Sequence, residues 1–408
     1  MVGPLAGLKV VDLSRVLAGP WAAQILADLG AEVVKIERPI VGDDTRGWGP
    51  PFLKAKDGTS GDAAYFLGAN RNKKSLALDL ADSRGPEVVR RLVMQSDIVI
   101  ENFKRGDLAR YGLDYTSLSV QAPGLIYCSI TGFGQDGPHA DRPGYDFIIQ
   151  GMAGFMSLTG EAGREPLRAG LAVADLTTGM YSAIAILAAL RHRSATGEGQ
   201  HIDMALFDTQ FGWLANQAQN YLVGGSSPAL TGNAHPNLVP YQVFRTATRP
   251  IIIAIGNDRQ FSRFAQALGR AAWAADARYS RNRDRVNNRA SLVAEIEALL
   301  ATRPSAEWVP ILENAGIPVG PVNSLAEAFA DPQVAARNLI VEVDHPLAGP
   351  IRTLAQPMKF SKTVADYRTA PPLLGEHSRE VLHTAGFCDD EINALEAAGV
   401  MSQHAGHH

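Results

Sequence analysis

The chain has 408 residues, of which 46% are hydrophobic and 20% charged, which excludes disordered, collagen-like and coiled-coil classes and leaves room for two or three domains. A formal net charge of −4 supplies no general field for nucleic acid or anionic lipid, so neither is expected as a partner. The two cysteines, Cys128 and Cys388, are too few for a disulfide framework or a zinc site and fit a reducing compartment.

The N-terminal MVGPLAGLKVVDLS has no basic n-region and runs directly into strand-like sequence, so neither a signal nor a transit peptide is expected and a cytoplasmic location follows. The longest apolar stretch, Tyr181 to Leu190, is about half the ~20 residues of a membrane span, so no span is expected.

Strand and helix patterns alternate over the first 135 residues. LKVVDLS (8–14) is a β-branched run. PWAAQILADLG (20–30) is helical, with Pro20 suited to a first turn and Gly30 to a C-terminal cap. AEVVKIE (31–37) and KSLALDL (74–80) read as strands. An amphipathic helix over 83–96, with Ser83 as N-cap, leads into DIVIEN (97–102), and LIYCSITG (125–132) is a further strand. This order predicts an α/β fold, a Rossmann-like parallel sheet covered by helices.

Between Ala174 and Gly197 the apolar residues are almost continuous, which predicts a buried core helix. After the Gly/Ser stretch 223–233, YQVFRTATRPIIIAIGN reads as a hairpin, with helices near 257–268, 288–302 and 305–314: a smaller α+β domain. Proline-rich connections then lead to strand-like IRTLAQ (351–356) and two closing helices. The terminal His404, His407 and His408 read as a frayed end rather than a metal site.

Three signals bear on chemistry. Gly132-Phe-Gly134-Gln-Asp-Gly137 follows a strand as a dinucleotide fingerprint does, but Pro138 and a polar loop replace the helix that would hold a pyrophosphate. The segment therefore reads as a glycine-rich turn that lets backbone pass close to something. No nucleophile elbow, H-E-x-x-H or C-x-x-C is present, so no metal site is expected. Asp175 stands where an extended run becomes the long helix; position alone favours a plain N-cap, although an ionised carboxylate in a dry site is also a nucleophile. Basic side chains recur at strand ends: Arg38, Arg46, Arg71, Lys73, Lys74, Lys104, Arg105 and Arg110. Ligands of open α/β sheets bind at the carboxyl edge of the strands, so phosphate recognition is expected there.

Together, LKVVDLSRVLAGP (8–20), AEVVKIERP (31–39), TRGW (45–48), NRNKKSLALDL (70–80), VIENFKRG (99–106), SITGFGQDGP (129–138), RPGYD (142–146), VADLTTG (173–179), TGEGQHIDMALFD (196–208), IPVGPVNS (317–324) and LLGEH (373–377) resemble the class III acyl-CoA transferases of the CaiB/BaiF type. The resemblance runs in order through almost the whole chain. It implies Asp175 as the catalytic carboxylate and no permanently bound cofactor, with coenzyme A or acyl-CoA as co-substrate. The matching CoA-contacting positions are Leu17, Ala18, Arg38, Leu78, Leu80, Asn102, Phe103, Lys104, Arg110 and Tyr145. It also implies an interlocked homodimer. The large domain would comprise 1–200 and a returning segment 330–408, followed in chain order by a linker 201–232 and a small domain 233–329.

Position 17 is Leu where oxalate enzymes of the family carry Gln, which argues against oxalate as substrate. RPGYD, VADLTTG, VPYQVF (239–244) and IGNDRQF (255–261) look closest to the succinyl-CoA:glutarate type, hence a dicarboxylate acceptor. Its distal carboxylate needs a cation, for which Arg15, Arg168 and His235 are candidates. The fold also carries α-methylacyl-CoA racemases, but Tyr145 replaces their histidine, and a phenol near pKa ~10 is a poor base at neutral pH. A non-catalytic CoA-binding protein is the remaining alternative.

Overall fold

The computed structural model describes residues 3–404; His407 and His408 lie outside the described residues, and the His404 N–H bonds Gly375 O. In chain order the strands are β1 (Lys9–Asp12), β2 (Glu32–Glu37), a hairpin of β3 (Phe52–Lys54) and β4 (Ser60–Ala63), β5 (Lys73–Leu78), β6 (Ile98–Glu101), β7 (Ile126–Thr131) and β8 (Gln200–Ala205). There follow β9 (Tyr241–Phe244), β10 (Ile251–Ala254), β11 (Val319–Pro321), a second hairpin of β12 (Ile340–His345) and β13 (Gly349–Leu354), and β14 (Met401–Ser402).

The chain divides into two compact units. The larger comprises residues up to Phe155, Arg168–Gln219 and the chain from Ala335; the smaller comprises Met156–Leu167 and Asn220–Val334. The larger unit is built on a seven-stranded sheet in the order β14-β5-β2-β1-β6-β7-β8, parallel except for β14. Each central strand is a β-branched run because both of its faces are covered. Val10, Val33, Ile98, Ile100 and Cys128 pack with the helix Ala18–Asp28 and the long helix Val173–Thr196. Val11, Leu76, Leu78, Val99 and Tyr127 pack with the helix Arg84–Val93 and the closing helices Ser378–Thr384 and Asp389–Ala397. The chain winds outward from β1 in one direction and from β6 in the other, so the switch point lies between these two strands, and the crevice at their carboxyl ends is where such a sheet takes its ligand.

The smaller unit has the expected hairpin, β9 antiparallel to β10, with β11 on the other edge, covered by helices Asp258–Ala267, Arg289–Leu300 and Ser305–Asn314. Its core surrounds a fully buried Arg285, which donates to Val239 O at 2.7 Å, Tyr279 O at 2.8 Å and Asp258 at 2.8 Å.

Three expectations need correction. Residues 201–232 are not a linker: β8 pairs with β7 through six registered residues, and the helix Leu206–Gly212 follows directly. Ser83 makes no side-chain cap. The long helix is not buried all round: Met180, Tyr181, Ile184 and Leu187 form an exposed apolar stripe. By length and composition this helix could cross a membrane, which the ten-residue reading of its apolar run did not foresee, but half of that stretch is buried in the fold.

Candidate active site

Two adjoining cavities open at the switch point. The first, about 400 Å³, is lined by Leu17 and Ala18 after β1, Asn102, Phe103 and Lys104 after β6, Tyr145, and Asp175. The second, about 270 Å³, is lined by Arg38 after β2, Leu78 and Leu80 at the end of β5, Phe103 and Arg110. Arg15, Phe103 and Asp107 border both, so the two cavities share a wall and together make up the groove at this edge of the sheet. All eleven residues singled out from the sequence therefore come together, although they arise from seven separate segments.

Asp175 is the third residue of the long helix, not its cap. The capping is done from elsewhere. Asp146, the first residue of the helix Asp146–Met152, accepts the N–H of Ala174 at 2.8 Å and that of Asp175 at 3.3 Å, and Gln150 steadies it from one turn on. Burial, and then the Asp146 charge, push the Asp175 carboxyl up to about 7. These same two carboxylates, after burial itself, push the Tyr65 phenol up to about 12; Tyr65 packs edge-on against Trp48 with ring centroids 5.3 Å apart. A neutral phenol thus shares the field of the Asp175 and Asp146 carboxylates. Neither Asp146 as a cap nor Tyr65 was singled out from the sequence, and no local pattern signals either one.

The glycine-rich turn is explained by contact. A Cβ on Gly132 would lie 2.6 Å from Gly144 Cα, so the turn after β7 and the RPGYD loop touch back to back. No helix opens at Gly137, which removes the dinucleotide reading. A second buried acid supports the neighbouring loop: Glu101, pushed up to about 7 chiefly by burial, accepts the Phe103 N–H at 2.8 Å.

The basic residues at strand ends divide into two classes. Arg38, Lys104, Arg105 and Arg110 line the groove. Arg46, Arg71 and Lys73 do not: they are buried and paired with Glu37, Asp28 and Asp12, so they are structural ions rather than phosphate ligands. Lys74 pairs with Glu380 away from the groove. Of the three candidates for a distal carboxylate, only Arg15 lines the first cavity, where Arg142, unremarked in the sequence, joins it. Arg168 lies over the Phe147 ring, and His235 belongs to the smaller unit. Among the described residues no group of His, Cys, Asp or Glu is arranged to hold a metal.

The profile of CoA-transferase family III matches residues 5–378. The chain belongs to this family. As a class III CoA-transferase it is an enzyme whose relatives use CoA thioesters as co-substrates. It is 51% identical over 384 residues to the succinate–glutarate CoA-transferase of Agrobacterium fabrum, covering 93% of this chain and 95% of that one. It is 40% identical over 407 residues to the succinyl-CoA:glutarate CoA-transferase of Homo sapiens, covering 100% and 92%. Among solved structures, a CaiB/BaiF family protein from Brucella suis matches with a TM-score of 0.84 and 50% identity, over 94% of this chain and 100% of that one. Family membership makes the transferase reading primary over the racemase one, as Tyr145 in RPGYD had suggested.

Proposed function

We propose that this CoA-transferase moves CoA from succinyl-CoA to a dicarboxylate such as glutarate, with Asp175 as the covalent carrier. The observation that carries the reading is the placement of Asp175 on the wall of one cavity that shares a wall with a second one bordered by Arg38, Arg110, Leu78 and Leu80. In the second cavity the two guanidinium groups face the anionic nucleotide end and the leucines give the adenine an apolar wall. The pantetheine arm then runs past Phe103 and Asn102 to bring the thioester to Asp175.

An ionised Asp175 oxygen attacks the donor thioester carbonyl, the C–S bond breaks, and CoA thiolate leaves an aspartyl-succinyl anhydride. The thiolate attacks the aspartyl carbonyl, releasing succinate and forming an aspartyl-CoA thioester. The acceptor carboxylate attacks this thioester and expels the thiolate again, which then takes the acceptor's acyl carbon and frees Asp175. The first step is uphill because a carboxylate, with a pKa near ~4, leaves more readily than a thiolate near ~8.5. The raised basicity of Asp175 narrows that gap, and remote binding of the nucleotide offsets the remainder. Arg15 and Arg142 are the cations for the far carboxylate of both diacids.

The similarity of named relatives acting on succinyl-CoA and glutarate supports this substrate pair. We also infer the interlocked homodimer that the family resemblance implies, with the exposed apolar stripe of the long helix covered by the second copy. The test is exchange from succinyl-CoA to a panel of dicarboxylates, with hydroxylamine trapping followed by mass spectrometry. Glutarate turnover with a hydroxamate on Asp175 is expected; turnover with modification elsewhere would overturn the assignment.

A further inference from the structure

At the floor of the second cavity, whose lining includes Lys35 and Asp43, the turn that follows β1 rests on charges whose side chains are sealed from water. Lys35 and Asp43 pair at 3.0 Å with neither side chain accessible, and Lys73 and Asp12 pair at 3.0 Å beside them. From this layer and from Asn102, side chains reach the main-chain groups of three consecutive residues. Asp12 accepts the Ser14 N–H at 3.0 Å, and Lys35 Nζ donates to Ser14 O at 2.7 Å. Asn102 accepts the Arg15 N–H at 2.8 Å and donates to Arg15 O at 2.7 Å. Asp43 accepts the Val16 N–H at 3.3 Å. The residue so held is at φ +71°, a left-handed conformation that a β-branched side chain avoids. Asp43 is itself anchored, its N–H donating to Glu37 at 3.0 Å and its carboxylate taking the N–H of Thr45 at 3.0 Å.

An isolated buried ion pair is no more stabilising than an apolar pair of equal volume, so packing alone does not account for Lys35 and Asp43. Strained backbone persists only where its surroundings over-determine it, and five contacts to Ser14, Arg15 and Val16 do so here. We propose that the Lys35–Asp43 pair is a positioning device for coenzyme A: it holds Ser14–Val16 in the strained turn that sets Arg15, Leu17 and Ala18 along the wall of the groove. The proposal rests on the reading of the two cavities as the CoA site. Neither residue touches the reacting atoms. Their effect is on the affinity for the thioester, because without them Val16 relaxes to an ordinary φ and the wall turns away.

The test is calorimetric titration of CoA, paired with steady-state exchange, on three variants of the full chain. Lys35→Met/Asp43→Asn removes both charges together, since removing Lys35 alone would leave Asp43 buried without its ion-pair partner. This variant is expected to bind CoA about tenfold more weakly, as release of one strained residue implies. Its KM for acyl-CoA rises in parallel while kcat stays within about twofold. Adding Val16→Gly, which accepts a positive φ without cost, recovers most of the lost affinity. If the charge-free pair does not fold, Asp43→Asn alone, in which Lys35 still faces Asp12 and Glu37, carries the test with the same rescue. An unchanged dissociation constant, a fall in kcat at constant KM, or a loss that Val16→Gly does not recover would overturn the proposal. Arg38→Ala and Arg110→Ala serve as references: if neither weakens CoA binding, the reading of the cavities fails first, and the proposal with it.

Discussion

Asp146 closes the end of the helix on which Asp175 sits, and its Oδ2 accepts the N–H of Asp175 itself at 3.3 Å. One carboxylate therefore raises the basicity of the other while occupying the helix terminus that would otherwise favour ionised Asp175. The attack proposed for Asp175 needs the ionised carboxyl, so turnover should rise with pH through about 7, with a single-proton slope. Asp146→Asn removes the repelling charge and keeps an acceptor for the helix. It should move that limb of the pH profile towards acid; an unmoved limb would show that a group other than Asp175 governs it.

Asp175→Asn should abolish exchange while leaving CoA affinity within about threefold, since the proposed nucleotide site lies in the second cavity. It should also stabilise the protein in alkaline buffer. The carboxyl of Asp175 binds its proton more tightly in the folded chain, about 7 against an ordinary 3.8, so stability is lost as pH rises through that interval. The amide carries no such penalty. Its melting temperature should exceed wild type at pH 8, the gain fading towards pH 4; a gain independent of pH would contradict the buried-acid account.

Arg38→Ala and Arg110→Ala should each raise KM for acyl-CoA about tenfold or more, from the loss of a charge-assisted contact. Arg38 is exposed and shares Asp44 with Arg15, at 2.8 and 3.2 Å, so its contribution should shrink in high salt. Initial rates across acyl-CoA concentration at two ionic strengths check both points.

Gly132→Ala places a methyl group within 2.6 Å of Gly144 Cα. The RPGYD loop must give way, carrying Tyr145 and Asp146 with it, and a displacement near 1 Å at the helix terminus should cut kcat about 100-fold. Gly137→Ala, where nothing lies within 4 Å but φ is +84°, should cost stability with little effect on kcat.

Much of the fold was legible because the central strands are continuous apolar runs and the helices between them are amphipathic. β8 was not: its alternating QHIDMA is half exposed and resembles a connection until its pairing with β7 is seen. At the site, Asp175 and the loops that line the two cavities could be read from motifs. The fate of Arg46, Arg71 and Lys73 could not, because a sequence displays a charge without its partner, and Glu37, Asp28 and Asp12 lie 9, 43 and 61 residues away. The role of Asp146 was hidden for the same reason: a cap supplied from 28 residues upstream leaves no capping box.

β14, only two residues long, pairs Met401 with Leu78 and Ser402 with Ala77, and Val400 O accepts the Asp79 N–H at 2.8 Å. The strand that walls the second cavity thus has its outer hydrogen-bonding edge sealed by residues 400–402. A version shortened before Val400 would bare that edge, and an uncovered parallel strand recruits other chains. Its first symptom would be self-association on storage, ahead of any change in the chemistry at Asp175.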